Sequence, residues 1–371
     1  PMRRLTVVQL LPALESGGVE RSTLEIADAL VRAGHRAIVV SKGGRLLPPL
    51  EALGAEHVAL DIGRKSPLTF RHVPALRKLF REVDADIVHA RSRLPAWLGW
   101  FALRGIGDKP PHFVTTAHGL NSPSRYSAIM ARGERVICVS QTVREYLLRH
   151  YPNSDPARLV VIPRGIDPVA FPRAPMPDPQ ARARIAALHP QLGGTGPLLL
   201  LPGRGTRLKG HADAIALLAN LRASGLDARL WMPGAQQDGR EAYIAELEEL
   251  ASEAGVEDAI AISETTPAIA QAYAASDLVL QLSRKPESFG RTVIEALSVG
   301  RPVLGWAHGG VGELLRELQP RGAVPPFDAA ALAAAARELL AHPPAAVTMQ
   351  AYRLQAMQEA TLGLYRSLVD A

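Results

Sequence analysis

The sequence has little cysteine, few aromatic residues and no long apolar run, and each shortage excludes a class of protein. Its 371 residues include one cysteine, Cys138, so neither an internal disulfide nor a cysteine-based zinc site can form. Cys138 lies in an apolar run, which predicts a buried strand thiol. Aromatic residues make up 5% of the chain, which disfavours nucleic-acid recognition. No window holds 18 uninterrupted apolar residues, so we expect a cytosolic protein without a membrane span.

The abundant residues are typical of a globular protein, but the charge is unevenly distributed. Hydrophobic residues make up 47% and charged residues 21%, and the length suits two domains of about 150–200 residues. The net charge is +6, yet residues 1–168 hold 24 basic and 15 acidic residues, whereas residues 169–371 hold 18 and 21. A basic first half indicates phosphate, nucleic acid or an anionic membrane as a partner, and composition alone does not choose among them.

Short β-branched runs alternate with amphipathic stretches along the chain, which predicts parallel sheets covered by helices on both faces. Strands are predicted over 5–11, 37–41, 87–90, 113–117, 136–139, 159–162, 198–201, 228–232, 259–262, 278–282 and 302–304. Helices are predicted over 20–33, 143–150, 211–224, 241–254, 267–275, 292–299, 328–341 and 347–369, with a linker over 163–190. The fold class is therefore α/β, with two doubly wound Rossmann-like domains facing each other across a cleft that would hold the ligand.

The richest motif runs from Pro286 to Ala296, after a predicted strand and into a predicted helix. Backbone amides near Gly290 would then lie at a helix N-terminus, where they suit the oxygen atoms of an anion or a sugar. Glu287 and Glu295 could accept hydrogen bonds from vicinal hydroxyls of a sugar or a ribose. The alternative is one glutamate stabilised by the helix dipole and one solvated glutamate.

A second motif, Gly203 to Gly210, directly follows the predicted strand 198–201. Arg204 and Lys209 are fixed cations beside a flexible turn and could offset the charge of a diphosphate. The segment is not a Walker loop, and it lacks the third glycine of a dinucleotide-binding fingerprint. A solvated basic loop is the alternative interpretation.

Three further features give weaker signals. Gly17 and Gly18 precede the first predicted helix and would let a ligand approach the backbone. His118 ends a predicted strand and is followed by glycine, although a lone histidine is more often structural. The Asp84-Ala85-Asp86 motif has no third ligand nearby, so we expect no metal there.

The segment 70–83 carries apolar residues at helical spacing with basic residues between them. Two interpretations are open: a basic helix that contacts an anionic membrane, or a core helix with a solvated basic face.

Taken in order, these motifs resemble those of the retaining glycosyltransferases of family 4, which have the GT-B fold, and in particular the bacterial cell-envelope or lipopolysaccharide type. Glu287 and Glu295 match the family's Glu-x7-Glu motif, and Gly203–Gly210 matches its Gly-Arg-x4-Lys-Gly loop. The remaining matches are Gly17-Gly18, Ala117-His118-Gly119, Val139-Ser140, Gly165-Ile166-Asp167 and Gly309-Gly310…Glu313. The sequence departs from the family at Gly312, where proline is common, at Arg164, where asparagine is common, and at Arg91 and Arg93, so the donor base and the acceptor stay open.

The resemblance implies a role for each matched residue. Arg204 and Lys209 would bind the donor diphosphate, Glu295 the ribose hydroxyls and Glu287 the hydroxyls of the transferred sugar. His118 would lie beside the reacting sugar. The implied catalytic residues are His118, Glu287, Arg204 and Lys209. The implied donor-binding residues are Gly17, Gly18, Arg204, Lys209, Glu287, Ser288, Phe289, Gly290, Arg291 and Glu295.

The resemblance also implies the domains and partners. Residues 1–168 would bind the acceptor, residues 169–346 the nucleotide-sugar, and residues 347–371 would pack back on the first domain. A UDP-sugar is the favoured donor and a GDP-sugar the alternative, with no metal and no other cofactor required. The acceptor would be a cell-envelope glycan or a lipid-linked acceptor, with an anionic membrane surface as a further candidate partner and no nucleic acid. The protein would be cytoplasmic or peripheral on the inner face of the membrane; a non-catalytic nucleotide-sugar binding module and a GT-B epimerase are the alternative functions.

Overall fold

A computed structural model divides residues 2–371 into two units, each with its own parallel β-sheet. The first unit runs to Gly165 and resumes at Leu354, and the second holds Ile166–Arg353. The predicted boundary at residue 168 lies three residues beyond this division, and the chain returns to the first unit at Leu354 rather than at residue 347.

Within the described residues, the first unit has a seven-stranded parallel sheet, and its strands coincide with runs of buried apolar residues. The strands are β1 (Thr6–Leu10), β2 (Arg36–Ser41), β3 (Glu56–Ala59), β4 (Ile87–Ala90), β5 (His112–Ala117), β6 (Arg135–Cys138) and β7 (Leu159–Val161). The order β3-β2-β1-β4-β5-β6-β7 puts the topological switch point between β1 and β4, where open α/β sheets bind ligands. Cys138 is buried in β6 as predicted, and burial raises the pKa of its thiol to about 12.

Helices connect these strands and cover the sheet. They are α1 (Gly18–Arg32), α2 (Leu47–Ala52), α3 (Val73–Glu82), α4 (Arg93–Arg104) and α5 (Gln141–His150). The C-terminal helix, Leu354–Val369, packs against α1 and buries Tyr365 completely. Among residues 2–371, no helix has both the length and the apolar character needed to span a membrane.

The second unit, over its described residues, has a six-stranded parallel sheet in the order β10-β9-β8-β11-β12-β13. Its strands are β8 (Leu198–Leu200), β9 (Arg229–Pro233), β10 (Ile260–Ser263), β11 (Leu278–Gln281), β12 (Val303–Trp306) and β13 (Ala323–Val324). Its helices are α6 (Pro179–Leu188), α7 (His211–Ala223), α8 (Glu241–Glu253), α9 (Ile269–Ala275), α10 (Arg291–Val299), α11 (Gly309–Leu318) and α12 (Ala329–Ala341). The switch point lies between the neighbouring strands β8 and β11, so the loops that follow these two strands emerge side by side.

The predicted linker 163–190 is wrong in part, because it contains α6. Pro179 is the first residue of this helix, and the side chain of Asp178 caps it by accepting from the Gln180 amide at 2.9 Å. Proline is favoured at this position because a first-turn amide has no helical partner to lose.

For α3, which covers most of segment 70–83, the structure supports the core-helix interpretation. Leu76 and Phe80 are buried in the core of the first unit. Arg77 and Arg81 donate to carbonyl oxygens at the end of α4, at N–O distances of 3.0 and 2.9 Å. The apolar face of α3 is therefore packed, and two of its basic residues stabilise the C-terminus of the neighbouring helix.

Candidate active site

The glycine-rich loop after β8 packs against the end of β11. Gly210 has a φ of +83°, and a Cβ atom there would lie 2.1 Å from the carbonyl oxygen of Leu282, so that only glycine fits. The amide of Arg284 donates to the carbonyl oxygen of Leu208 at 2.8 Å. These contacts join the loop 203–210 to the loop after β11, and the two segments with the richest motifs become neighbours.

Lys209 and Glu287 form an ion pair between these loops. The Nζ–Oε1 distance is 2.7 Å, and the two side chains are 36% and 25% exposed. They remain accessible to a polar ligand, and each already has a partner that offsets its charge. Arg204 lies on the same loop and is exposed, whereas Arg207 pairs with Glu246 at 2.6 Å.

The Glu287 loop lies on the N-terminus of α11, where glycines allow a close approach. Gly310 donates its amide to the carbonyl oxygen of Glu287 at 2.7 Å. Gly309 has a φ of +57°, and a Cβ atom there would lie 2.8 Å from the Glu287 backbone nitrogen. Gly309 and Gly310 therefore set the position of the backbone that carries Glu287.

The turn into α10 holds the next group of predicted donor-binding residues. Ser288, Phe289 and Gly290 lead directly to Arg291, the first residue of the helix, and Phe289 is buried. The amides of the first turn have no helical partner, so this turn offers donors to an anion or to sugar oxygens.

Glu295 lies inside α10 and is held by two donors. The hydroxyl of Tyr273 donates to its Oε1 at 2.9 Å, and Arg291 Nε donates to its Oε2 at 3.2 Å. Burial raises the pKa of Glu295, while Arg291 and the Tyr273 hydrogen bond act in the opposite direction. Its side chain is 12% exposed, so Glu295 is a carboxylate whose orientation is set by its neighbours.

In the first unit, His118 directly follows β5 and is held by an arginine. Arg164 Nη2 donates to His118 Nδ1 at 3.0 Å. Burial lowers the pKa of His118 well below its ordinary value, and Arg164, Arg91 and His89 add to this effect. Because a guanidinium only donates, Nδ1 accepts, and the neutral ring carries its proton on Nε2.

Arg164 also lies against the glycine loop that follows β1. A Cβ atom at Gly18 would be 2.2 Å from Arg164 Nη1, and one at Gly17 would be 2.3 Å from a carboxylate oxygen of Glu20. The structure thus brings Gly18 and His118 to one guanidinium, at the N-terminus of α1.

His89 and Arg91 are interior residues. His89 Nδ1 bonds the Tyr365 hydroxyl at 2.5 Å, and its Nε2 bonds Thr116 Oγ1 at 2.6 Å. Arg91 donates to the Gln9 side chain at 2.9 Å and is 5% exposed. Beside them lies a cavity of about 20 Å³ that His118 and Arg164 also line, which is room for one water. These residues connect the sheet to the C-terminal helix.

In the Asp84-Ala85-Asp86 motif, Asp86 has a structural role at the N-terminal ends of β1 and β4, two inner strands of the sheet. Asp86 accepts from the Thr6 amide at 2.8 Å and also pairs with Arg3. Among residues 2–371, no group of three or more histidine, cysteine, aspartate or glutamate side chains is arranged to hold a metal ion.

The sequence alone does not assign to the site two residues that hold its side chains: Arg164, which contacts His118, and Tyr273, which contacts Glu295. Arg164 stands out only as a departure from the family's asparagine, and its place shortly after β7 is the signal that could have assigned it. Tyr273 gives no signal, because it lies in the apolar pattern of α9 and is 1% exposed.

Comparisons with known proteins identify the family of this chain. Residues 16–169 match the family described as Glycosyltransferase Family 4, and residues 189–355 match Glycosyl transferases group 1. A D-inositol 3-phosphate glycosyltransferase of Xylanimonas cellulosilytica is 31% identical over 335 residues, which cover 80% of this chain and 77% of that protein.

Solved structures share the fold over the whole chain. A crystal structure of a glycosyltransferase from Rickettsia africae has a TM-score of 0.86 and 28% identity and covers 99% of each chain. The Anabaena protein HepE in complex with UDP has a TM-score of 0.80 and 20% identity, and the match covers 98% of this chain and 100% of that one. The chain belongs to the glycosyltransferases of family 4 and has the GT-B fold.

Proposed function

We propose that this protein is a retaining, metal-independent hexosyltransferase that uses a nucleoside-diphosphate sugar, with a UDP-sugar favoured over a GDP-sugar. The bond between the sugar C1 and the β-phosphate oxygen breaks, and a bond from C1 to an acceptor hydroxyl oxygen forms on the same face. The acceptor proton passes to the departing phosphate, so that the nucleoside diphosphate is the second product. UDP in the Anabaena structure supports the choice of base at the level of the fold.

The observation that carries the proposal is the Lys209–Glu287 contact of 2.7 Å beside the first turn of α10. In the proposed complex Lys209 and Arg204 bind the diphosphate and offset the charge that develops on it, a task that a metal performs in other transferases. Glu287, released from Lys209, accepts from hydroxyls of the sugar, and amides of Phe289 and Gly290 donate to the sugar or the distal phosphate.

Glu295 binds the ribose hydroxyls in the proposed complex. Arg291 and Ser288 belong to the same donor-binding turn, and Arg291 keeps one Glu295 oxygen in place. In the first unit His118 lies beside the reacting sugar, with Gly17 and Gly18 beside the phosphates and the acceptor. The neutral, Nε2-protonated ring suits His118 to donating a hydrogen bond to the sugar, so we assign it no role as a base.

For the acceptor we propose a cell-envelope glycan or a lipid-linked glycan, such as the lipopolysaccharide core, that bears phosphate. Two observations support the phosphate. The Xylanimonas relative is named a D-inositol 3-phosphate glycosyltransferase, a name that includes a phosphorylated compound, and residues 1–168 carry 24 basic against 15 acidic residues. An acceptor of this kind would place the enzyme in the cytoplasm or at the inner face of the membrane.

The test begins with the donor. Thermal unfolding is measured with UDP, GDP and ADP, since a ligand at 100 times its dissociation constant stabilises a protein by about 2.7 kcal/mol. We expect UDP to stabilise the wild type and Arg207→Ala, which alters the same loop away from Glu287, and to have little effect on Lys209→Ala. Stabilisation of Lys209→Ala equal to that of the wild type would contradict the role of Lys209.

Turnover distinguishes an enzyme from a binding module. UDP released from a UDP-sugar, with and without acceptor and with and without EDTA, is expected to require acceptor and to persist in EDTA. NMR of the product is expected to show the anomeric configuration of the donor. Stabilisation by UDP without any release of UDP from UDP-sugars would instead identify a non-catalytic module.

A further inference from the structure

An exposed group of aromatic side chains covers one side of the first unit, around α4. We name it the aromatic-arginine face, and its apolar members are Phe70, Trp97, Trp100, Phe101 and Tyr126. Phe70, Phe101 and Tyr126 are 41%, 40% and 39% exposed, and Leu68, two residues before Phe70 in the chain, is 69% exposed. Apart from Met2, they are all the exposed large apolar residues in the described part of the first unit.

Four rings of this face are connected by ring contacts. Phe101 lies at the centre, with its ring centroid 5.9 Å from that of Phe70, 5.8 Å from that of Trp97 and 5.1 Å from that of Trp100. Soluble proteins expose single apolar residues routinely, but a contiguous exposed patch marks an interaction site.

Arginines lie on the same rings. The guanidinium of Arg104 lies 4.3 Å from the Trp100 ring centroid, and that of Arg93 lies 4.9 Å from the Tyr126 ring centroid. Arg132 lies 5.4 Å from the Trp97 ring centroid. A cation this close to a ring is attracted by the ring's π face, so that cation and ring are presented together.

The surrounding sequence has a net positive charge. Residues 62–133 contain 12 basic and four acidic residues, which is +8 of the +9 carried by residues 1–168. Between residues 87 and 133 the single acidic residue is Asp108. A partner for this face is therefore expected to be negatively charged as well as able to accept aromatic rings.

We propose that the aromatic-arginine face docks the protein on an anionic phospholipid bilayer. Tryptophan and tyrosine rings favour the headgroup region of a bilayer, and arginines beside them attract anionic headgroups. The face shares Phe70 with segment 70–83 but does not include α3. The apolar side of α3 is packed in the core, and two of its arginines bind α4.

The face begins at the edge of the sheet where His118 lies. Arg93 opens α4 just after the carboxyl end of β4, and Trp97 donates its indole N–H to the carbonyl oxygen of Tyr126 at 2.9 Å, in the segment after β5. Docking there would bring a membrane-held acceptor towards His118; this step alone rests on the proposed function.

Vesicle sedimentation tests the docking without donor or acceptor. The full chain is mixed with phosphatidylcholine vesicles, with and without phosphatidylglycerol. We expect binding to the anionic vesicles that weakens as salt is raised to roughly 0.5 M. Phe70→Ser/Phe101→Ser is expected to lower the partition coefficient at least about tenfold, and Arg104→Gln/Arg132→Gln to reduce binding to the anionic vesicles.

The matched control is Leu188→Ser/Leu250→Ser, which removes two apolar side chains, 78% and 41% exposed, from the second unit. It is expected to bind like the wild type. Failure of the wild type to bind anionic vesicles, or an equal loss in this control, would overturn the proposal. If the wild type instead self-associates in sedimentation velocity and Phe70→Ser/Phe101→Ser is monomeric, the face is an interface between copies and the membrane proposal is wrong. UDP-induced stabilisation, measured on the same samples, reports separately on the proposed function and on folding.

Discussion

The contact between Gly309 and the Glu287 backbone can be tested by adding one methyl group. In Gly309→Ala the new Cβ would lie 2.8 Å from the Glu287 nitrogen and 2.9 Å from its carbonyl oxygen. The φ of +57° also lies in the left-handed region. The variant therefore combines a backbone conformation that alanine disfavours with a collision against the segment that carries Glu287.

The two costs can be separated because the second unit offers a matched glycine. Gly255 has a φ of +70° and no atom within 4 Å of a built Cβ. Gly255→Ala should show the conformational cost alone, about 1–2 kcal/mol. Gly309→Ala adds overpacking against backbone, about 1–3 kcal/mol more, which corresponds to a further fall in melting temperature of roughly 2–4 °C per kcal/mol.

Gly309→Ala and Gly255→Ala should differ more in their rates of nucleoside diphosphate release than in their melting temperatures. Relief of the collision moves the Glu287 backbone by about 0.5 Å, and small misplacements at a reacting centre cost one to two orders of magnitude in rate, about tenfold or more here. Nucleoside diphosphate release is measured for both variants below their melting temperatures. If Gly309→Ala matched Gly255→Ala in both melting temperature and rate, Gly309 would have no role in positioning Glu287.

Three further substitutions test individual contacts. Lys209→Ala should lower nucleoside diphosphate release by about 10²–10³-fold, while melting changes by less than about 3 °C because the ion pair is partly exposed. Arg164→Asn should raise the pKa of His118, because burial remains but one arginine that lowers it is gone; the acid limb of the kcat/KM profile should then move to higher pH. Tyr273→Phe removes a donor that favours ionised Glu295 and should raise the pKa of that carboxyl, so that UDP affinity, measured by calorimetry, weakens further as the pH falls.

Each of these three substitutions has a control variant in the second unit or an outcome that would contradict the prediction. Arg207→Ala should keep its rate, since Arg207 binds Glu246 and not Glu287. Tyr243→Phe removes the hydroxyl of a half-buried tyrosine whose ring lies 4.9 Å from the Arg207 guanidinium, and it should leave the pH dependence of UDP binding unchanged. An acid limb that stays in place in Arg164→Asn would mean that ionisation of His118 does not limit the reaction.

Buried parallel strands were the most predictable part of this fold, because both of their faces are covered and they form continuous apolar runs. The strand over 87–90 is predicted with the bounds that β4 has. By contrast, β3 lies at the edge of its sheet and begins with exposed Glu56, so its sequence carries no such run. Exposure therefore removes the signal of β3. The other strand absent from the prediction, β13, has only two residues, too few to form an apolar run.

Four helices are absent from the prediction, α2, α4, α6 and α11, and proline explains two of these absences. Pro179 begins α6, and Pro95 is the third residue of α4. A first-turn amide has no helical acceptor, so proline there is compatible with a helix that continues beyond it. Proline ends a helix only in its interior, and the sequence alone does not show which of the two positions it occupies.

Motif order predicts which loops carry the candidate site, because three of the motifs follow strands next to a switch point, namely β1, β8 and β11, and His118 follows β5, one strand farther away. It does not predict how those side chains are held. Tyr273 reaches Glu295 across 22 residues and Arg164 reaches His118 across 46, and both contacts depend on how helices and loops pack. Short-range sequence patterns thus indicate which functional groups are present. The orientation and protonation state of Glu295 and His118 depend on partners that are distant in the sequence.

The distribution of charge separates two kinds of electrostatic task. Lys209 and Arg204 lie in residues 169–371, which hold 18 basic and 21 acidic residues, so a donor would be bound there by individual cations at contact distance. In residues 62–133, nine of the twelve basic residues are instead exposed, although Arg91 is buried. Attraction by exposed charges acts over about 10 Å and is screened by salt. Raising ionic strength should therefore weaken binding of an anionic acceptor or membrane more than binding of UDP. A UDP affinity that fell as steeply with salt as vesicle binding would refute this division of roles.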